Sequence, residues 1–193
     1  MLKWLHAHGA PCNVGLCLLR GVEHGHMDVV RRAAEQGATA GTYDLSAAAS
    51  GGHWRILCAL RELGVPWDVN ASHAAATSGH LSILQRMVAT GAPLSSWVVA
   101  GAAARNHSGV VKWLLERGCP VDASVCAAAA AGGHLAMLQW LRALKCPWDK
   151  STAYWAIHSE SPNRAVVEWV RDQQCPMNAA TKVRIDQWLA RSS

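Results

Sequence analysis

Five histidines stand 27 residues apart, at His26, His53, His80, His107 and His134. A fixed interval of that length marks one small structural unit copied along the chain. The chain is therefore expected to fold as a solenoid in which each unit rests on its neighbours. Glycine precedes four of the five, at Gly25, Gly52, Gly79 and Gly133, and Asn106 precedes the other. The clearest unit, Cys119 to Lys145, reads CPVDASVCAAAAAGGHLAMLQWLRALK. Others open at Ala10, Ala38, Val65 and Ala92. The unit opening at Cys146 is longer, and Cys175 begins a last one.

Each unit divides into a turn and two helices. Proline holds the second turn position at Pro11, Pro66, Pro93, Pro120, Pro147 and Pro176. It fixes its own φ and disfavours helix in the residue before it, so it separates one unit from the next. Asp68, Asp122, Asp149, Asn13 and Asn178 follow two residues later, where a short polar side chain suits an N-cap. An alanine-rich helix comes next, as in Val125–Ala131, and the Gly-His step breaks it. A second helix follows, as in Leu135–Leu144, with Leu135, Leu138, Trp140 and Leu141 on a broad apolar face. Gly37, Gly64, Gly91 and Gly118 close the earlier second helices, and Lys145 and Gln174 take that place later. The predicted class is all-α.

Composition agrees with close helix packing. The apolar half of the chain is mainly Ala, Val, Leu and Trp, with no Phe, and no segment reads as a β-branched strand. A length of 193 residues fits one domain spanning 1–193. The formal charge of +5 is a mild basic bias, spread without a basic run. The seven cysteines are odd in number and follow no secretory signal, so a reducing intracellular compartment is expected. Cytoplasm is the first choice, with an organelle or the nucleus left open. No stretch approaches 18 uninterrupted apolar residues, so no membrane span is expected.

The helix pair resembles the ankyrin repeat family. The resemblance lies in AAATSGHLSILQRMVATG, Ala74 to Gly91, and AAARNHSGVVKWLLERG, Ala102 to Gly118, and it covers essentially the whole chain. Two features depart from it. Ordinary ankyrin units have about 33 residues and a Thr-Pro-Leu-His opening, and these have 27 residues and lack that opening. Aligning the helices puts the shortfall in the connection that carries the β-hairpin finger in the family. The Cys-Pro-Trp-Asp turn at this period is similar to a short variant found in algae, oomycetes, amoebae and large DNA viruses. The resemblance implies an ankyrin-like solenoid with shortened turns and a helix-dominated concave surface.

The ends are expected to differ from the middle. MLKWLHAHG matches VVKWLLERG, Val110 to Gly118, so the chain opens on half a repeat, residues 1–9. Leu2, Trp4 and Leu5 there call for packing against further repeats or another chain. Residues 181–191 form a terminal helix that is apolar at Val183, Ile185, Trp188 and Leu189.

The histidine ladder invites a metal reading. Successive rungs lie one helix width apart, about 10 Å, which is too far to share one zinc ion. His26, His53, His80, His107 and His134 are therefore assigned structural roles, as are Trp67 and Trp148 in the turn after proline. Cys119, Cys146 and Cys175 occupy equivalent turns and read as small buried apolar groups. No phosphate loop, catalytic triad or zinc motif is present. No metal, cofactor or catalytic residue is expected, and the chain is not read as an enzyme.

The expected function is a protein-interaction scaffold. Positions just before the Gly-His step vary between otherwise similar units, as a binding surface does: Glu23, His24, Ser50, Thr77, Ser78, Arg105 and Asn106. Trp97 joins them, because Trp54, Trp97 and Trp155 stand outside the recurrent tryptophan positions. The alternative is an accessory subunit of a ribonucleoprotein or other large assembly. It would contact RNA phosphate through Lys3, Arg31, Arg32, Arg55, Arg61, Arg86, Lys112 and Arg117.

Overall fold

The computed structural model describes residues 13–191. Among them are thirteen helices and no strand. The first helices of successive units are α1 (Val14–Glu23), α3 (Thr42–Ser50), α5 (Val69–Thr77), α7 (Ser96–Ala104), α9 (Ala123–Ala131) and α11 (Lys150–His158). They alternate with second helices α2 (Met27–Glu35), α4 (Trp54–Glu62), α6 (Leu81–Ala89), α8 (Ser108–Glu116), α10 (Leu135–Ala143) and α12 (Arg164–Asp172). Helix α13 (Ala179–Arg191) closes the series. The fold is a helical-repeat solenoid. The half repeat at 1–9, with Lys3, Trp4 and the Leu side chains around it, lies outside the described residues.

Three helix boundaries shift from the sequence reading. The helix expected from Val125 starts at Ala123, because Asp122 caps it and accepts from the Ser124 N–H at 2.9 Å. The helix expected to reach Leu144 stops at Ala143, with Leu144 as its C-cap. The terminal helix begins at Ala179, ahead of residue 181, because Asn178 accepts from the Thr181 N–H at 2.8 Å. In each case the cap sets the boundary.

Side-chain size decides how the layers pack. Adjacent first helices lie against one another along their length, and adjacent second helices touch much less. The first helices meet through Ala48, Ala49, Ala75, Ala76, Ala102, Ala103, Ala129 and Ala130, all buried, which let the backbones approach closely. The second helices send larger groups into the seam between the layers. Ile56, Leu57 and Leu60 of α4 recur as Ile83, Leu84 and Met87, then as Val110, Val111 and Leu114, then as Met137, Leu138 and Leu141. Each fully buried leucine contributes about 1.5–3 kcal/mol by leaving water. The first layer is therefore tight and the second more widely spaced.

The histidine ladder stitches the units together. Nε2 of His53 meets the Glu23 carbonyl at 3.2 Å, and His80 meets that of Ser50 at 2.9 Å. His107 meets Thr77 and His134 meets Ala104, each at 3.0 Å. Each acceptor is the last residue of the preceding unit's first helix, where a carbonyl lacks an intrahelical partner. The acceptor is a carbonyl, so the ring donates from Nε2. Gly79 has φ +75°, and a Cβ there would stand 2.7 Å from the His107 ring. Glycine thus serves the turn and the seat of the next rung. Asn163 takes the rung's place in the longer unit, lying 3.1 Å from the Cβ position of Gly133. His107→Ala should cost about 1 kcal/mol by orphaning the Thr77 carbonyl, while His24→Ala, at an exposed site, should leave the urea midpoint unchanged.

Two further contacts repeat from turn to turn. Cys119, Cys146 and Cys175 donate Sγ–H to the carbonyls of Ser95, Asp122 and Asp149, the N-caps of the previous unit's first helix. Burial pushes the Cys175 thiol up to about 11 and raises that of Cys119. In the two Pro-Trp-Asp turns, Arg61 lies over Trp67 at 5.2 Å and Arg142 over Trp148 at 4.4 Å. The same guanidinium groups donate to the carbonyls of Val65 and Cys146, just before proline. Where the turn residue is Leu94 or Val121, the arginine position holds Val88 or Leu115. Arg171 holds the same position before Met177, so the arginine also occurs without a ring to cover.

Candidate interaction groove

The first helices form a face that the second helices do not cover. Trp97, Ala100, Gly101 and Ala104 of α7 line it. In α9 the lining residues are Ser124, Ala127, Ala128 and Ala131, and these small groups leave a trough of about 710 Å³ above α7 and α9. Its floor is alanine and glycine backbone. Its walls are aromatic, with Trp97 and His73 on one side and Trp155 on the other. Trp97 is 46% exposed and Trp155 47%, so each wall offers a half-open indole face.

The wall at α5 and α7 is built with definite geometry. The His73 and Trp97 rings stack in parallel, 3.6 Å apart at 4°. His73 Nδ1 donates to the Trp97 carbonyl at 3.0 Å. Gly101 makes room for the stack, since a Cβ there would fall 2.5 Å from both the His73 ring and Thr77 Oγ1. Burial pushes the His73 pKa below the usual histidine value, and the Trp97 carbonyl offsets part of that. The ring is therefore neutral at pH 7, and the trough lining carries no ionised side chain. The far wall is a second aromatic cluster. Tyr154 stacks on His158 at 4.1 Å and meets Trp155 edge-on at 5.4 Å.

Two shallower depressions continue the face. One, of about 450 Å³, lies toward α1 and is lined by Glu23, Tyr43, Ser46 and Ser50. The other, of about 610 Å³, lies between Tyr154 of α11 and Arg184 of α13. The face is thus a row of three troughs divided by two aromatic ridges.

The residues nominated from sequence divide accordingly. Thr77 and Trp97 line the central trough, and Glu23 and Ser50 line the one toward α1. Ser78 bonds to Ser50, Oγ to Oγ, at 3.0 Å, on the rim. His24, Arg105 and Asn106 are exposed at the ends of first helices and line none of the three. Asn106 holds φ +60°, the left-handed value that glycine takes at the equivalent positions. Trp54 lies apart from this face on α4, half-buried against the core under Arg86 at 5.5 Å. Sequence reasoning passed over His73, Tyr154 and His158. Their signal was positional, because each is a large ring at a register where one adjacent unit carries alanine: Ala100, Ala127 and Ala131 respectively.

No protein-family model matches the chain, and no curated protein matches it significantly. The geometry can be set against chemistry directly. Among the described residues no three His, Cys, Asp or Glu side chains converge on a point. Asp122 is engaged by the Ser124 and Ser96 hydroxyls, which hold its carboxyl below the usual range. Asp149 is held low in the same way by Ser151. Both serve helix starts. Among the described residues no helix is long and apolar enough to cross a membrane.

Proposed function

We propose that the chain is a non-enzymatic protein-interaction scaffold of short ankyrin-type repeats, binding a partner across its first-helix face. The observation that carries this reading is the central trough: an uncharged alanine floor between two half-exposed tryptophans. Buried aromatic anchors in dry pockets supply most of the energy in protein interfaces. Support for the ankyrin kinship is the helix pair broken at a left-handed Gly-His step and joined to the next unit by a short strandless turn. The free buried thiols fit a reducing intracellular compartment.

The basic residues support the RNA reading less well. Arg61, Arg86 and Arg117 lie over the Trp67, Trp54 and Trp113 rings, and Lys112 faces Glu116 at 4.0 Å. Arg31, Arg32 and Arg55 remain exposed on the second helices, away from the trough. Affinity capture from source cells tests the two readings together. A protein should be recovered by the native chain and reduced more than tenfold by Ala128→Arg, which fills the floor. Lys112→Ala and ribonuclease should leave its recovery unchanged. Recovery that survives Ala128→Arg and is lost with ribonuclease contradicts the scaffold reading.

A further inference from the structure

We infer that the central trough takes a proline-rich segment in the polyproline II conformation, a partner class that rests on the scaffold reading above. Three features of the trough select it. The first is spacing. Polyproline II repeats every three residues and advances about 9 Å per turn, close to the roughly 10 Å width of a helix. A segment lying across the first helices therefore presents the same face to each unit in turn. An extended strand, at about 6.7 Å for every second residue, drifts out of step.

The second feature is hydrogen bonding. Trp97 and Trp155 offer indole N–H groups, which donate and cannot accept. Neither indole N–H donates to another described residue. A proline-rich segment is their complement, because it presents backbone carbonyls to solvent and lacks N–H at every proline. A helical partner has its carbonyls bonded internally and leaves the indoles unsatisfied. The third feature is shape and charge. Flat half-exposed rings and an alanine floor without an ionised group match the faces of pyrrolidine rings. Aromatic-lined grooves are the general physical solution for this conformer, since a preformed helix loses little entropy on binding.

Isothermal titration with two synthetic peptides tests the assignment. One is a 12-residue Pro-Pro-Leu repeat. The other is a helix-forming peptide of equal length with leucines at i, i+3, i+4 and i+7. The proline peptide should bind saturably, and Trp97→Ala, Trp155→Ala and Ala128→Arg should each weaken it at least tenfold, with the helical circular-dichroism signal retained. Lys112→Ala, on the outer layer, should leave binding unchanged. Binding of the helical peptide alone, with the same sensitivity to these variants, overturns the proline assignment and leaves the groove standing as a docking site. Proline-peptide binding that ignores Trp97, Trp155 and Ala128 overturns the assignment to this trough.

Discussion

Gly132→Ala is expected to destabilise the chain by about 1–3 kcal/mol, whereas Gly109→Ala should stabilise it by up to about 1 kcal/mol. Both glycines have ordinary backbone angles, so the difference lies in their surroundings. A Cβ on Gly132 would stand 2.4 Å from the Ala104 carbonyl oxygen and 2.7 Å from the His134 ring. That carbonyl belongs to the preceding unit's backbone and is already held by His134 at 3.0 Å. Relief requires α7 and α9 to move apart. Gly109 lies exposed in the first turn of α8 with nothing within 4 Å of its Cβ position, so alanine there gains only helix propensity. Urea titration followed by circular dichroism measures both. A neutral Gly132→Ala would mean that the first helices are less closely packed than described.

The second large effect is expected in the seam between layers. Leu138 of α10 is fully buried, and Leu138→Ala should cost about 2–5 kcal/mol from lost burial and the cavity left behind. Leu144, the C-cap six residues further on, is 53% exposed, and its replacement should stay within about 0.5 kcal/mol. Stability in a solenoid is a sum over units and their interfaces. The Leu138→Ala loss should therefore fall mainly on α9 to α12. Hydrogen exchange read by mass spectrometry should show faster exchange there than in α3 to α6. Uniform acceleration along the array would point to a fully cooperative domain instead.

Architecture was legible in the sequence because the repeat samples the same physics several times. One Gly-His step is weak, but four in register, with Asn106-His107 as a fifth, identify a helix break, and proline two residues before aspartate or asparagine marks most restarts. Cap geometry was legible less well. Asp122 and Asn178 were visible as caps, yet the helices they start extend further back than the apolar pattern indicated. The groove was legible only in part. Trp97 stood out by its irregular position, and Thr77 by its variation between units. The partner of Trp97 did not stand out, because the stack with His73 spans two units and depends on the missing side chain of Gly101. No spacing rule reports a contact that an absent Cβ permits. The floor was invisible for a related reason. Ala127 and Ala128 read as part of a helix interface, and only the three-dimensional register shows that they also line the trough.

Site-specific photo-crosslinking tests the central claim most directly. A photoreactive phenylalanine in place of Trp155, on the trough wall, should capture the partner protein in source cells. The same group at Lys112, on the outer layer, should not. Crosslinking confined to position 155, and suppressed when Ala128 is also replaced by arginine, is the predicted result. Capture at Lys112 with none at position 155 would place the binding surface on the second helices and contradict the account.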